Sequence, residues 1–503
     1  MKKLFIVIFI FLFSISLRLW NLDQMGRTWD ESAYVEWAYT FVDLARKGNF
    51  ADPSWYKNES SGFPPLSRYI YGVAGLWDIH RFDVKGKPIY NYDYTHARLV
   101  SVFFSSMTVV LVTLLGIRYI SLFTGIASGI ILSMLPLFLG YSQLATLESL
   151  IMFFFTASIF SFLNFLTNFS KRNILFTGIL LGLALGVKYT NILLVPLMVW
   201  IYLIWSFYNP KYKDLRPLYI KAIVTIFVIA FATFFILWPI PWFHLHEVFL
   251  FNSGLRSSPY SVPEVFFGKL VHVPKIYFLV YFFITTPFLV FILFLIGLLV
   301  INKKKNWIFY VLVAWFCFPF IQSIYNFRQH GIRYIIEIYA PLSLIAGIGL
   351  DYFIGSFSQS LKLKYASLLV VIVYLAIIIF HLSPYYLDYF NSVVGGTKGV
   401  YEKRLFQLGW WGQGIKEAAD YIERKAAPGS TIGIALSPSH VMPMLSQFDV
   451  EAFDAKEKYD YVIVNYYNIL REGFDDNQIK KGYNVVHIVN ADGASLVTVY
   501  KHK

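Results

Sequence analysis

KKLFIVIFIFLFSISLRLW (residues 2–20) runs directly into NLDQMGRTWDESAY (residues 21–34). The first stretch is apolar except for its leading lysines and Arg18 and is long enough, at about 1.5 Å per helical residue, to cross a bilayer core. The second stretch sets Asp30 and Glu31 side by side about ten residues beyond it, among Arg27, Trp29 and Tyr34. Met1-Lys2-Lys3 followed by an apolar run resembles a secretory signal. That run is longer than a usual signal core, and Ser16-Leu17-Arg18-Leu19-Trp20 is not a small-x-small cleavage site. An uncleaved first span is expected.

The rest of the chain repeats the pattern. Of 503 residues, 57% are hydrophobic and only 15% charged, against about a quarter charged in soluble domains. The mean hydropathy is +0.56. About eleven apolar segments are expected to span, near 3–20, 97–116, 119–140, 146–168, 173–187, 190–208, 218–238, 277–301, 307–325, 336–354 and 365–382. The net charge of +13 is not a nucleic-acid signature, because the basic residues sit in short alternate loops. Arg118, Lys171, Arg172, Lys211, Lys213, Arg216, Lys221, Lys303 to Lys305, Lys362 and Lys364 all fall on one side. By the positive-inside rule that side is cytoplasmic, and the N-terminus with it. Cys317, the single cysteine, excludes an internal disulfide and reads as a small buried hydrophobe.

An odd span count puts loops 21–96, 239–276 and 326–335 outside, together with the C-terminal tail. Ala33–Arg46 and Ser67–Trp77 read as helices lying on the membrane surface, the second opened by Pro64-Pro65. From about 383 the composition turns polar and glycine-punctuated. Gln413–Lys425 reads as an amphipathic helix, and Thr431–Leu436, Tyr459–Asn465, Asn484–Val489 and Ser495–Tyr500 as strands. The expected fold is an α-helical polytopic membrane protein, residues 1–385, with a small extracytoplasmic α/β domain, residues 386–503.

Chemistry is expected at the outer ends of the spans. Asp30, Glu31 and Glu148 supply carboxylates there, and Lys188, Arg256, Arg328 and Arg333, the last beside Tyr334, supply cations. Ionisable groups at membrane depth are costly and face a cavity or a partner. Carboxylates that deprotonate an acceptor and cations that hold a phosphate would use this set; interhelical ion pairing is the plainer alternative. His244 and His246, with Glu148 or Asp30, form a candidate site for a divalent metal. A transporter or flippase for a lipid-linked or anionic solute would instead place its charges mid-span, with broken helices.

The ordered set of motifs carries a resemblance. Asp30-Glu31 follows a first span; Pro64-Pro65-Leu66 opens a surface helix; Arg98 starts a span; Glu148 starts a later one. Gly182 to Thr190 and Arg333-Tyr334 follow, and the tail carries Tyr389-Phe390-Asn391 and Leu408-Gly409-Trp410-Trp411-Gly412. The chain resembles the GT-C glycosyltransferases that use polyprenyl-phosphate sugars, in the group of the protein O-mannosyltransferases and aminoarabinose transferases (prokaryotic family 39). The resemblance implies transfer of a sugar, with inversion, from a dolichyl or undecaprenyl phosphate. The acceptor would be a hydroxyl or amine on a lipid, glycan or protein at the outer face of the cell membrane. It implies Asp30 as the general base with Glu31 in support, and Glu148 on the acceptor or a metal. Lys188, Arg333, Tyr334 and Arg256 would lie at the donor phosphate. Phe63 stands where family members often have His or Lys, and loop 239–276 is too short for a MIR-type module. Trp410-Trp411-Gly412 lacks the aspartate of the oligosaccharyltransferase Trp-Trp-Asp motif, and nothing is assigned to it.

Overall fold

The structure, a computed structural model, describes residues 2–55, 64–77, 81–82, 88–89, 94–243, 245–247, 263–304, 306–324, 330–435, 445, 447–471 and 473–503. The first apolar segment forms α1 (Lys2–Leu19). It is followed by α2 (Trp29–Arg46), α3 (Leu66–Ala74) and a short antiparallel pair, β1 (Arg81–Phe82) with β2 (Pro88–Ile89). The helix α2 begins four residues earlier than the periodicity of 33–46 suggested. Thr28 caps it, and Asp30 and Glu31 fall in its first turn, where carboxylates suit the helix dipole.

The remaining apolar segments are α4 (Thr95–Tyr119), α5 (Leu122–Met134), α6 (Pro136–Ser142), α7 (Leu147–Thr167), α8 (Lys171–Val187), α9 (Leu194–Tyr208) and α10 (Arg216–Leu237). After them come α11 (Tyr277–Thr285), α12 (Phe288–Lys304), α13 (Trp307–Ser323), α14 (Tyr339–Phe357) and α15 (Leu361–Leu382). Among the described residues, six helices are long and apolar enough to cross a membrane, or up to eight if each bent pair is one span. The segments expected at 119–140 and 277–301 are these bent pairs: α5 and α6 meet at 66°, α11 and α12 at 113°. Pro136 and Pro287 stand at the breaks. Each lacks the N–H that would continue the helix, and its ring crowds the preceding turn.

The segments Leu147–Thr167 and Gly331–Phe357 are 72% and 78% buried over their most apolar windows, against 22% and 28% for Pro210–Leu237 and Leu361–Leu382. The first two therefore form the centre of the bundle and the others its lipid-facing wall. Gly297 on α12 and Gly349 on α14 permit the tightest crossing. A Cβ on either would collide with the backbone of the facing helix, at Ile345 or at Leu293. Cys317 is exposed on the surface of α13, which corrects its expected burial; a thiol is apolar enough to face lipid.

Past α15 the chain docks on the bundle before folding separately. The Asn391 amide donates to Phe283 O (2.6 Å) and Thr286 O (2.9 Å), and its backbone N–H to Ile284 O (2.8 Å). These bonds satisfy carbonyls left open by the α11–α12 break. In loop 239–276, β3 (Glu264–Phe266) pairs with β4 (Lys269–Val271), and Phe266 bridges to Phe406. The C-terminal sheet contains β5 (Thr431–Ile434), β6 (Asp449–Ala452), β7 (Tyr461–Asn465), β8 (Tyr483–Ala491) and β9 (Ala494–His502), in the order β6-β5-β7-β9-β8. The first three strands are parallel and the last two antiparallel. The helix α16 (Ile415–Lys425) buries Ile415, Ala418, Ala419 and Ile422, the expected i, i+3, i+4, i+7 face.

Candidate active site

Glu31 and Asp30 are neighbours in the first turn of α2, and successive helical residues point about 100° apart. Glu31 turns inward and is fully buried. Its Oε1 accepts Arg98 Nε (2.8 Å) and Ala145 N–H (2.9 Å). Its Oε2 accepts Arg98 Nη2 (2.7 Å), Thr28 N–H (3.1 Å) and the Thr28 hydroxyl (3.1 Å). Arg98 also donates to the carbonyls of Leu22 (3.0 Å) and Gly26. One bidentate pair thus ties together the loop after α1, the start of α2, the start of α4 and the residues before α7. Both partners are saturated, as a buried charge pair must be if it is not to destabilise the fold.

Asp30 turns the other way, with its side chain 31% exposed, and its Oδ2 accepts Arg333 Nη1 at 2.7 Å. Arg333 stands on the 3-10 segment Gly331–Ile338 that leads into α14. Its Nε lies 3.9 Å from Oε1 of Glu148, in the first turn of α7. That separation is an ion pair without a hydrogen bond. The Glu148 side chain is 6% exposed, and its Oε2 has no hydrogen-bond partner among the described residues. Arg333 also donates to the Tyr334 hydroxyl (3.2 Å). On its far side, Lys188 at the end of α8 holds its ammonium 4.7 Å from the Tyr334 ring. Burial and the Asp30 charge push the hydroxyl of Tyr34, one turn along α2, upward, so it stays a donor.

Five of the candidate residues therefore meet: Asp30, Glu148, Lys188, Arg333 and Tyr334. Glu31 belongs to the adjacent structural pair. Arg256, Arg328 and His244 lie outside the described residues. His246 is exposed, whereas Glu148 is buried beside Arg333. Among the described residues, no three of His, Cys, Asp and Glu come together as a metal site.

The tryptophan pair to which nothing was assigned lies against this cluster. The Arg333 guanidinium sits 5.3 Å from the Trp410 ring and 4.8 Å from that of Trp411, a cation–π arrangement that covers the planar cation and keeps it partly dry. Gly409 and Gly412 take φ of 67° and 90°, so the segment can turn sharply at both ends. Trp29 donates its indole N–H to Trp410 O (2.6 Å), and the buried Asp388 accepts Gly409 N–H (2.7 Å). Behind Trp410, His330 stacks on the indole at 5.2 Å and 12°. Its Nδ1 is 3.0 Å from Glu264, which accepts the Tyr277 hydroxyl (2.6 Å). The sequence holds a signal for this layer: two adjacent tryptophans bracketed by glycines are unusual on a polar surface unless something covers them. Glu337, also unassigned, is buried two residues before α14 with one carboxylate oxygen lacking a hydrogen bond. An acid inside an apolar run is its signal.

The family model for "Dolichyl-phosphate-mannose-protein mannosyltransferase" matches residues 8–255, the half that carries Asp30, Glu31, Arg98, Glu148 and Lys188. A search of the curated proteins found no match. Among solved structures, ArnT from Cupriavidus metallidurans in the apo state is similar at a TM-score of 0.53 and 13% identity, over 99% of this chain and 98% of that one. The same protein bound to undecaprenyl phosphate gives 0.52 and 13%, over 98% and 97%. The apo oligosaccharyltransferase of Archaeoglobus fulgidus gives 0.51 and 12%, over 99% of this chain and 74% of that one. The whole-chain similarity and the family match point the same way: the chain has the fold of these membrane glycosyltransferases, and its residues 8–255 are similar to the mannosyltransferase family.

Proposed function

We propose that the Asp30–Arg333–Glu148 cluster transfers a hexosyl or pentosyl group from a polyprenyl phosphate to an acceptor hydroxyl or amine, at the extracytoplasmic face of the cell membrane. In this reading the N-terminus is cytoplasmic and residues 386–503 lie outside. The acceptor heteroatom attacks the anomeric carbon from the side opposite the phosphate and passes its proton to Asp30. The C–O bond to the phosphate breaks, and polyprenyl phosphate leaves with the bonding electrons. Charge grows on the leaving phosphate in the transition state. Lys188 and Arg333 are the cations able to meet it, in surroundings dry enough for their charge to count. Glu148 keeps Arg333 balanced when Asp30 takes up the proton.

The observation that carries this reading is the contrast in saturation. Asp30 is a half-exposed carboxylate with one oxygen committed to Arg333, whereas Glu31 beside it has both oxygens occupied. Undecaprenyl phosphate in the complex of Cupriavidus metallidurans ArnT supports the donor class. The test is to incubate the purified chain with a panel of polyprenyl-phosphate sugars and measure release of polyprenyl phosphate. The expected result is release with at least one donor by wild type and a loss of about 10²–10⁴-fold in Asp30→Asn. Full activity in a correctly inserted Asp30→Asn protein would overturn the proposal.

A further inference from the structure

On the membrane face opposite the cluster lies a second feature that glycosyl transfer does not use. A groove of ≈ 430 Å³ opens between α4, α7 and α8, where α7 ends and α8 begins. Glu148 starts α7, while Asn164 of the groove lies sixteen residues further on. At about 1.5 Å per residue the two are roughly a membrane core apart. The groove is divided by chemistry. Leu111, Phe160 and Leu180 line its deeper wall, and Arg172, Asn164 and Asn173 its rim.

No carboxylate lines the groove. Arg172 is exposed, and among the described residues its guanidinium has no carboxylate partner; its one contact is with the Phe176 ring, at 5.4 Å. Asn164 uses its amide oxygen to accept the Tyr119 hydroxyl (2.9 Å), and its NH2 group is uncommitted among the described residues. Asn173 is held by Ser170 and by Asn168 O. Lys171 adds a second positive charge beside the rim. A cationic, donor-rich rim above an apolar wall open to the bilayer complements an anionic headgroup with its acyl chain. Basic pockets between spans on the cytoplasmic side recognise lipids in this way.

We propose that this groove is a binding site for an anionic phospholipid of the cytoplasmic leaflet, with the phosphodiester at Arg172 and Asn164 and an acyl chain along Leu111, Phe160 and Leu180. The site is separate from the donor site and makes no use of the reaction. In the test, the purified full chain is incubated with equimolar phosphatidylglycerol and phosphatidylcholine and analysed by native mass spectrometry. Wild type is expected to retain phosphatidylglycerol preferentially. Arg172→Glu should lower that preference by about fivefold or more, since one arginine near an anionic headgroup carries about that factor. Ala157→Trp, which fills the groove, should abolish it. If Ala157→Trp does not fold, Arg172→Glu decides alone, because its side chain is on the surface. Equal retention of the two lipids by wild type, or an unchanged preference in Arg172→Glu, overturns the proposal. Release of the bound lipid by excess inorganic phosphate also overturns it, because the site would then read the anion and not the lipid.

Discussion

Two carboxylate–guanidinium pairs stand one residue apart in this protein, and they differ in completeness. Glu31 and Arg98 are buried, bidentate and satisfied on every side by Thr28, Ala145, Leu22 and Gly26. Asp30 and Arg333 share one short bond, with Glu148 3.9 Å away and only partly engaged. A satisfied pair has no capacity left for a ligand and so holds backbone in place. An incomplete pair keeps lone pairs and N–H groups to exchange with a substrate. The first therefore serves as the foundation of the second: it fixes the turn of α2 from which Asp30 projects.

This contrast can be broken by substitution. Glu31→Ala strands the Arg98 guanidinium in the core and should cost about 3–5 kcal/mol. We expect loss of folded protein, read by size-exclusion in detergent and by thermal unfolding. Asp30→Asn should leave the unfolding temperature close to wild type while release of polyprenyl phosphate falls about 10²–10⁴-fold. Equal damage to stability from both substitutions would erase the distinction between the pairs. A smaller effect is expected from Trp410→Ala, which removes one of the two indoles packed against Arg333 but leaves Trp411. Turnover should drop by about tenfold, with the fold retained by circular dichroism.

The smallest effect concerns pH. Burial pushes the Asp388 carboxyl up to about 7, partly opposed by the Gly409 N–H bond. The folded form thus favours the protonated acid more than the unfolded chain does. Its contribution to stability is whole below the ordinary carboxyl range and is lost as pH rises through 7. Thermal unfolding of the wild type should shift downward between pH 5 and 8, and Asp388→Asn should flatten that slope.

Much of the architecture was legible because lipid imposes a strong constraint. Apolar segments must be helical to satisfy their backbones in hydrocarbon, and the expected spans do coincide with helices. The two that break do so at Pro136 and Pro287, where proline permitted a kink but nothing in the sequence gave its angle. In the C-terminal region the apolar strands β5, β7, β8 and β9 announced themselves, while β6 did not. Asp449-Val450-Glu451-Ala452 has poor strand propensity and becomes a strand because it lies along β5 in parallel register. The hairpin β3–β4 is likewise held by pairing across three residues and a bridge to Phe406.

The sequence by itself determined that this is a multi-span membrane protein, which faces of its helices are apolar, and that carboxylates and cations gather at the ends of its spans. Those properties depend on composition and on spacing along one element. Only the tertiary structure decided which carboxylate was saturated. Glu31 and Asp30 have the same local sequence, and their fates diverge because Arg98 lies 67 residues from one and Arg333 lies 303 residues from the other. It also decided that Trp410 and Trp411, from beyond the last span, close over Arg333. Pairing between distant segments is set by packing, which no periodicity along the chain records.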